Sequence, residues 1–193
     1  VKLYHQWKAT QPSSPSVIPD EVTETPGAKT ASVTYEEAEE QAWTEIEQYL
    51  HKMNPYEFQE MVAALLRAMS YHVAWISPTG KDGGVDIVAW GDPLGTRPPR
   101  IKVQVKRVTQ SVPVDGLRSF LALLGDDDVG LFVSTGGFTK DASELARTQE
   151  KRKITLIDLE RLFDLWVQHY DRLEDSARRR LPLQPIYFLA PEG

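Results

Sequence analysis

The sequence predicts an α/β domain in which a central mixed sheet is flanked by helices. Apolar residues recur at helical spacing in some segments, and they alternate or cluster in short runs typical of strands in others. These segments follow one another as helix, three strands, helix, strand, helix, strand and helix, an order typical of layered domains. With 193 residues, the chain has room for one ordinary domain and its tails.

Two amphipathic helices are predicted on the amino-terminal side of the domain. Thr34 and Glu37 have the spacing of a capping box and mark the start of the first helix. Asn54, as N-cap, and Pro55, at the first helical position, mark the start of the second. We expect the second helix to bury the stripe Phe58, Met61, Val62, Leu65, Leu66 and Met69.

The remaining elements alternate between strands and helices. Residues 100–108 alternate strictly between apolar and polar side chains, as a half-buried strand does. We predict strands at 72–76, 85–90, 100–108, 129–134 and 154–157, and helices at 113–124, 140–152 and after Asp158.

The predicted domain limits follow from composition. Residues 10–33 carry four prolines among Ser, Thr and Gly, and we expect a linker without regular structure or core contacts. The prediction is a tail and linker at 1–33, a globular domain at 34–170 with its core at 54–166, and a carboxyl-terminal extension at 171–193.

Composition and charge exclude some classes of protein. The chain has no Cys, which excludes disulfides and thiolate metal sites. Its net charge of −6 argues against a surface that is basic throughout. No apolar run reaches the ~18 residues of a membrane helix, and no signal peptide is recognisable. We therefore expect a cytoplasmic protein without a membrane partner.

Polar residues interrupt two predicted strands. On the strand 100–108, Gln104 and Lys106 point to one face, opposite the apolar Val103 and Val105. Asp86 lies in an otherwise apolar strand, where an acid has to be paired, hydrogen-bonded or bound to a cation. From spacing alone, Asp86 is either a structural acid or part of a site.

Four motifs in order resemble the D…QxK core of the Mrr-like restriction endonucleases, over about residues 54–166. The resemblance implies the PD-(D/E)xK fold, a divalent cation and DNA phosphodiester hydrolysis. The motifs are Pro55-Tyr-Glu-Phe-Gln-Glu-Met-Val62, Gly80-Lys-Asp-Gly-Gly-Val-Asp-Ile87, Val103-Gln-Val-Lys-Arg107 and Val133-Ser-Thr-Gly-Gly-Phe-Thr139.

The resemblance assigns a role to each polar residue. Asp86 and the carbonyl oxygen of Gln104 would bind Mg²⁺, which prefers oxygen ligands, with Mn²⁺ as a substitute. Lys106 would orient and help deprotonate the attacking water, or stabilise charge developing on phosphorus. We expect the side chains of Asp86, Gln104 and Lys106 to converge on one face of the sheet.

The second helix adds an open question. The family pattern favours a Glu directly after the Phe, where this sequence has Gln59. At about 100° per residue, Glu57 and Gln59 flank the apolar stripe, whereas Glu60 lies nearly opposite it. Gln59 holds the family position and Glu57 is the charged substitute, although Glu57 also fits a capping role.

The resemblance also implies which macromolecule the protein acts on. We expect the substrate to be double-stranded DNA that is foreign or modified, for example methylated, and the protein to cleave it as a homodimer or larger assembly in a restriction or defence role. Two alternatives remain: a structure-selective nuclease that resolves junctions, and a non-catalytic DNA-binding module. Basic residues near the QxK strand are the expected DNA contacts: Arg100, Lys102, Arg107, Arg118 and Lys140.

Overall fold

A computed structural model describes residues 26–78, 80 and 83–187, with side chains from Tyr35 onward. The chain divides into two compact units. One is residues 47–183, and the other joins the described residues up to 46 with residues 184–187. The first unit contains the sheet, which positions the predicted site residues.

The sheet has five strands, which are β1 His72–Ile76, β2 Ile87–Trp90, β3 Arg100–Lys106, β4 Asp128–Ser134 and β5 Lys153–Ile157. They lie in the order β1-β2-β3-β4-β5. Strand β2 pairs antiparallel with β1 and β3, while β3, β4 and β5 are parallel to one another, so the sheet is mixed. The two parallel crossovers each use a helix, as such connections commonly do.

Helices cover the sheet. The longer helices are α1 Pro26–Lys52, α2 Pro55–Ala68, α3 Val114–Leu121, α4 Lys140–Thr148 and α5 Leu159–Gln168. Helix α2 contacts β1, β2 and β3, and α5 contacts β4. Helices α3 and α4 contact each other, and α4 also contacts β5. The predicted class, a mixed sheet flanked by helices, is therefore confirmed.

The caps of α2 and α5 agree with the sequence. The side chain of Asn54 accepts a hydrogen bond from Tyr56 N–H, and that of Asp158 accepts one from Arg161 N–H. Of the predicted α2 stripe, Phe58, Met61, Val62, Leu65 and Leu66 are buried, whereas Met69 is the C-cap and is only partly buried.

A second apolar cluster fills the space between the sheet and α3 and α4. Phe132 of β4 makes edge-on ring contacts with Phe120 and Phe138, at centroid distances of 5.3 and 5.4 Å. The buried members of the cluster are Val112, Leu117, Phe120, Leu121, Leu124, Phe132 and Ala142.

Two predicted boundaries on the amino-terminal side were wrong. The first helix begins at Pro26 and not at Thr34, so residues 26–33 of the expected linker are helical. Pro26 is compatible with this because a proline at a helix start loses no hydrogen bond, and no further proline follows before Pro55. The rest of the expected linker, residues 10–25, lies outside the described residues.

The predicted carboxyl-terminal limit of the globular domain, residue 170, was also wrong. A short 3₁₀ turn (Tyr170–Arg172) and helix α6 (Asp175–Arg178) follow α5. Leu173, Ala177 and Leu181, in or next to these two elements, are buried. The predicted extension at 171–193 therefore includes core positions as far as Leu181, and the compact unit runs to Leu183. No helix among the described residues is long and apolar enough to cross a bilayer.

Candidate active site

Gln104 and Lys106 occupy the carboxyl-terminal half of β3. The parallel register pairs Gln104 with Phe132 and Lys106 with Ser134 on β4. Since paired residues of neighbouring strands share a face, both side chains lie on the face that carries the Phe132 cluster. The alternation predicted from the sequence thus places Gln104 and Lys106 on one side of β3, opposite the buried Val103.

Asp86 lies one residue before β2 and not inside a strand, since β2 begins at Ile87. Its backbone still joins the sheet: its N–H donates to Val103 O, and its carbonyl accepts from Ser77 N–H, both at 2.7 Å. The Asp86 carboxylate accepts a hydrogen bond from Val105 N–H, with 2.7 Å between Oδ2 and N. This bond holds the carboxylate against the β3 backbone between Gln104 and Lys106.

The side-chain carbonyl of Gln104 is a buried acceptor. Its Oε1 has no hydrogen-bond partner among the described residues. A buried acceptor without a partner costs free energy and therefore calls for an explanation, such as a water or an ion. Gly84, at a positive φ of 72°, lies close to it, since a Cβ there would come 3.8 Å from Gln104 Nε2 and 2.6 Å from Leu123 Cδ1.

The ammonium of Lys106 lies on the side of the aromatic cluster. Its Nζ is 5.8 Å from the centroid of the Phe132 ring. Lys106 also lines an open concavity of about 500 Å³ formed by residues 106–113. Lys106 is therefore half-buried, with an apolar wall on one side and access to solvent through the concavity.

The structure distinguishes the two candidates on α2. Gln59 is buried, and its Nε2 donates to Ser77 O at 3.0 Å and, more weakly, to Asp86 O at 3.5 Å. Glu57 is exposed in the first turn of α2, and Glu60 is partly buried, not fully solvent-facing as its position on the helix had indicated. Of the two candidates, Gln59 is therefore the one bonded to the Asp86 backbone.

Arg100 and Lys102 are bonded within the domain. Arg100 Nε and Lys102 Nζ lie 2.7 and 2.9 Å from the carboxylate of the buried Asp128. Burial alone would raise the pKa of Asp128, but hydrogen bonds from Arg100, Lys102 and Gly125 N–H outweigh it and hold that pKa well below its ordinary value. The Asp128 hydrogen bond in turn raises the pKa of Arg100.

The other three predicted DNA contacts have different surroundings. Arg107 donates to the carbonyl of His51 near the end of α1 and is partly buried. Arg118 is exposed and pairs with Asp115 one turn earlier on α3, at 3.2 Å. Lys140 is exposed at the start of α4.

Sequence reasoning missed the role of Asp128. It belongs to the acidic run at residues 126–128, and its position directly before the apolar strand 129–134 was the only available signal. Its partners come from β3, where Arg100 pairs with Asp128 in the parallel register. Such a partnership depends on the strand register, which the sequence does not reveal.

The donor set fits a hard divalent cation. Asp86 offers a carboxylate beside β3, and Gln104 offers a buried carbonyl oxygen that has no partner within the described part of the chain. Oxygen ligands of these two kinds, completed by water, are those that Mg²⁺ and Mn²⁺ take. No group of three or more His, Asp or Glu side chains converges among the described residues, so a cation here would rely on few protein ligands.

Comparison with known families gives a match over most of the compact unit. Residues 50–166 match the family Mrr_cat, Restriction endonuclease. The type IV methyl-directed restriction enzyme EcoKMrr of Escherichia coli strain K12 is 30% identical over 132 residues, 65% of this chain. The match spans 42% of that enzyme's length, so this chain corresponds to less than half of it.

Comparison with solved structures gives the same fold. The MspJI restriction endonuclease in complex with a 27-mer oligonucleotide superposes with a TM-score of 0.51, 19% identity, and coverage of 88% of this chain and 40% of that one. The DNA modification-dependent restriction endonuclease AspBHI gives a TM-score of 0.54, 18% identity, and coverage of 93% and 47%. At these identities the likeness concerns the fold.

Proposed function

Because the chain belongs to the Mrr_cat family of restriction endonucleases, we propose that it hydrolyses phosphodiester bonds in DNA at a site formed by Asp86, Gln104 and Lys106. One observation carries the proposal. The Asp86 carboxylate is hydrogen-bonded to Val105 N–H, while the neighbouring Gln104 keeps a buried oxygen without a partner in the described chain. A purely structural polar cluster is expected to satisfy its own acceptors.

Each residue has a separate role. Asp86 and the Gln104 carbonyl hold a divalent cation, which, when bound, polarises the phosphate and makes a water more acidic. Lys106 holds the attacking water or stabilises the charge that grows on the phosphate oxygens. Gln59 is a positioning residue, because it fixes the Ser77 and Asp86 carbonyls and thereby the loop that delivers the Asp86 side chain.

The surroundings of Lys106 support its role. Half-burial beside Phe132 limits the water that would otherwise screen the ammonium. The concavity along residues 106–113 leaves it an approach for a phosphate. An ammonium in this position can interact with a substrate without first breaking an ion pair, because the structure records none for Lys106 among the described residues.

We also propose double-stranded DNA as the substrate, in a restriction or defence role. EcoKMrr is methyl-directed and AspBHI is DNA modification-dependent, which makes modified DNA the first substrate to test. Two active sites allow both strands to be cut in one binding event, so we propose that the protein acts as a homodimer or larger assembly. Mg²⁺ is the proposed cation, and Mn²⁺ can replace it.

The test is cleavage of supercoiled plasmid, prepared with and without methylation, at increasing Mg²⁺ and in EDTA. We expect metal-dependent nicking or linearisation by the wild type and none by Lys106→Ala. Lys106→Ala removes a contact with Phe132 worth about 0.5–1 kcal/mol, so its melting temperature should remain close to that of the wild type. Lys151→Ala is the matched control, because Lys151 is exposed and remote in sequence from the site.

Cleavage by Lys106→Ala at the wild-type rate would disprove the role of Lys106. If the wild type binds DNA but cleaves no substrate in any metal, a non-catalytic binding module replaces the nuclease. If it cleaves four-way junctions in preference to duplexes, it is a structure-selective nuclease.

A further inference from the structure

The short segment Thr109–Ser111, between β3 and α3, is fixed to the loop that follows β4. Thr135 Oγ1 accepts a hydrogen bond from Val108 N–H at 2.9 Å and donates one to Val108 O at 2.6 Å. Ser111 Oγ donates to Gly136 O at 3.0 Å. Just beyond the segment, Val112 pairs with Phe138 in an isolated bridge. Both ends of the segment are therefore held in place.

Gly136 brings the two loops into direct contact. A Cβ at Gly136 would overlap the carbonyl group of Gln110. The close approach requires the absence of a side chain at this position, and Gly136 supplies it. The Gln110 peptide thus rests on the Gly136 backbone, which fixes the direction in which the Gln110 side chain leaves the loop.

The segment begins three residues after Lys106 and shares its surroundings. Lys106, Thr109, Gln110 and Ser111 all line the concavity of about 500 Å³. The segment is therefore continuous with the proposed active site, on the side from which Lys106 is open to solvent.

The chemistry of the segment is neutral and hydrogen-bonding. Thr109 and Gln110 are exposed, and their side chains form no hydrogen bond with the described residues. Residues 106–114 include no Asp or Glu, although the whole chain has a net charge of −6. The segment itself therefore presents no carboxylate to a phosphate, and Thr and Gln side chains are common donors to DNA phosphates.

We propose that Thr109 and Gln110 bind the DNA sugar-phosphate backbone next to the phosphate that is cleaved. The inference rests on the proposed function, since Lys106 marks where the cleaved phosphate lies. A loop fixed at both ends loses little conformational entropy on binding, which favours its use as a rigid contact. The contact is uncharged, so it positions the DNA without releasing counterions.

The experiment measures affinity for a fluorescein-labelled duplex of mixed sequence by anisotropy in EDTA, where the proposed metal-dependent cleavage is prevented. The variant is Thr109→Val combined with Gln110→Ala, compared across a salt series with the wild type. Two lost neutral hydrogen bonds should weaken binding by about tenfold. The slope of log affinity against log salt should stay at the wild-type value, on the order of −3 to −6.

Two further variants distinguish a direct contact with DNA from an indirect effect on the fold. Gln168→Ala removes an exposed Gln from the end of α5 and should bind as the wild type does. Thr109→Ser keeps the hydroxyl donor and should retain most of the affinity that Thr109→Val loses. All variants should melt at the wild-type temperature, because neither side chain contributes a recorded hydrogen bond to the described fold.

Wild-type affinity in the double variant would overturn the proposal. So would a loss of affinity accompanied by a shallower salt slope, because that result indicates a change in charged contacts. Absence of any DNA binding by the wild type in this assay would overturn this proposal, whereas the plasmid cleavage assay decides the proposed function. Binding by the wild type without cleavage would refute the nuclease alone, because the double variant would still report on the contact.

Discussion

The Asp86 carboxylate accepts a hydrogen bond from the backbone N–H of Val105, with 2.7 Å between Oδ2 and N. Val105 lies between Gln104 and Lys106 on β3, so the bond joins the loop that carries the acid to the strand that carries the other two residues. The same bond uses one carboxylate oxygen, Oδ2, for structure.

Asp86→Asn should separate the structural hydrogen bond of the carboxylate from its proposed role as a metal ligand. The amide keeps an oxygen that can accept from Val105 N–H, so we expect a melting temperature close to that of the wild type. It removes the negative charge, so plasmid nicking should fall by at least about a hundredfold, with partial recovery at high Mg²⁺ or Mn²⁺.

Asp127→Asn is the matched control, since Asp127 is exposed and should leave nicking unchanged. Wild-type nicking by Asp86→Asn would exclude Asp86 as a metal ligand. A large loss of thermal stability would instead show that the charge is needed for the Val105 bond.

Gln104→Glu should strengthen metal binding. The substitution turns a neutral buried carbonyl oxygen into a carboxylate within the proposed site, and a second charge raises affinity for a hard cation. We expect tighter Mn²⁺ binding by calorimetry in the absence of DNA, with cleavage retained. Without metal, two nearby carboxylates repel each other, so the melting temperature should fall in EDTA and recover as Mn²⁺ is added.

Gln104→Ala provides the comparison for Gln104→Glu. It removes the side-chain oxygen and should bind Mn²⁺ more weakly than the wild type. Equal Mn²⁺ affinity in all three proteins would show that the buried oxygen of Gln104 is not a ligand.

Gln59→Ala and Glu57→Ala form a matched pair on α2. Removing the Gln59 amide leaves the carbonyls of Ser77 and Asp86 without this donor, which costs about 1–3 kcal/mol. We expect a lower melting temperature and reduced nicking for Gln59→Ala. Glu57 is exposed, so Glu57→Ala should change stability by less than about 1 kcal/mol and leave nicking intact. A greater loss of nicking in Glu57→Ala would reverse the assignment.

The sequence was sufficient to predict the order of elements and the faces of β3, because both depend on local periodicity. Strict alternation put Gln104 and Lys106 on one side, and the structure places them beside Phe132 and Ser134. The start of α1 at Pro26 was not predictable from the capping box, since Thr34 is an acceptable residue inside a helix once neighbouring residues extend it.

Interactions between distant segments could not be predicted. The bonds from Gln59 to Ser77 and Asp86 join residues 18 and 27 positions apart. The link between Arg107 and His51 joins residues 56 positions apart. Each depends on how helices lie on the sheet, which local patterns do not specify.

The ion group of Arg100, Lys102 and Asp128 predicts how stability depends on pH. The folded pKa of Asp128 lies below its ordinary value of 3.8, so the folded state binds fewer protons than the unfolded state in that range. The resulting stabilisation is complete above pH 3.8 and is lost as the pH falls through the folded value.

Asp128→Asn abolishes this titration and leaves two cations without their buried partner, which costs about 3 kcal/mol near neutral pH. Thermal melts from neutral pH down to about pH 2 should therefore show the two proteins approaching each other in stability as the pH falls. Asp127→Asn, an exposed neighbour, should follow the wild type throughout. A constant difference between Asp128→Asn and the wild type down to the lowest pH would mean that the Asp128 charge does not stabilise the fold.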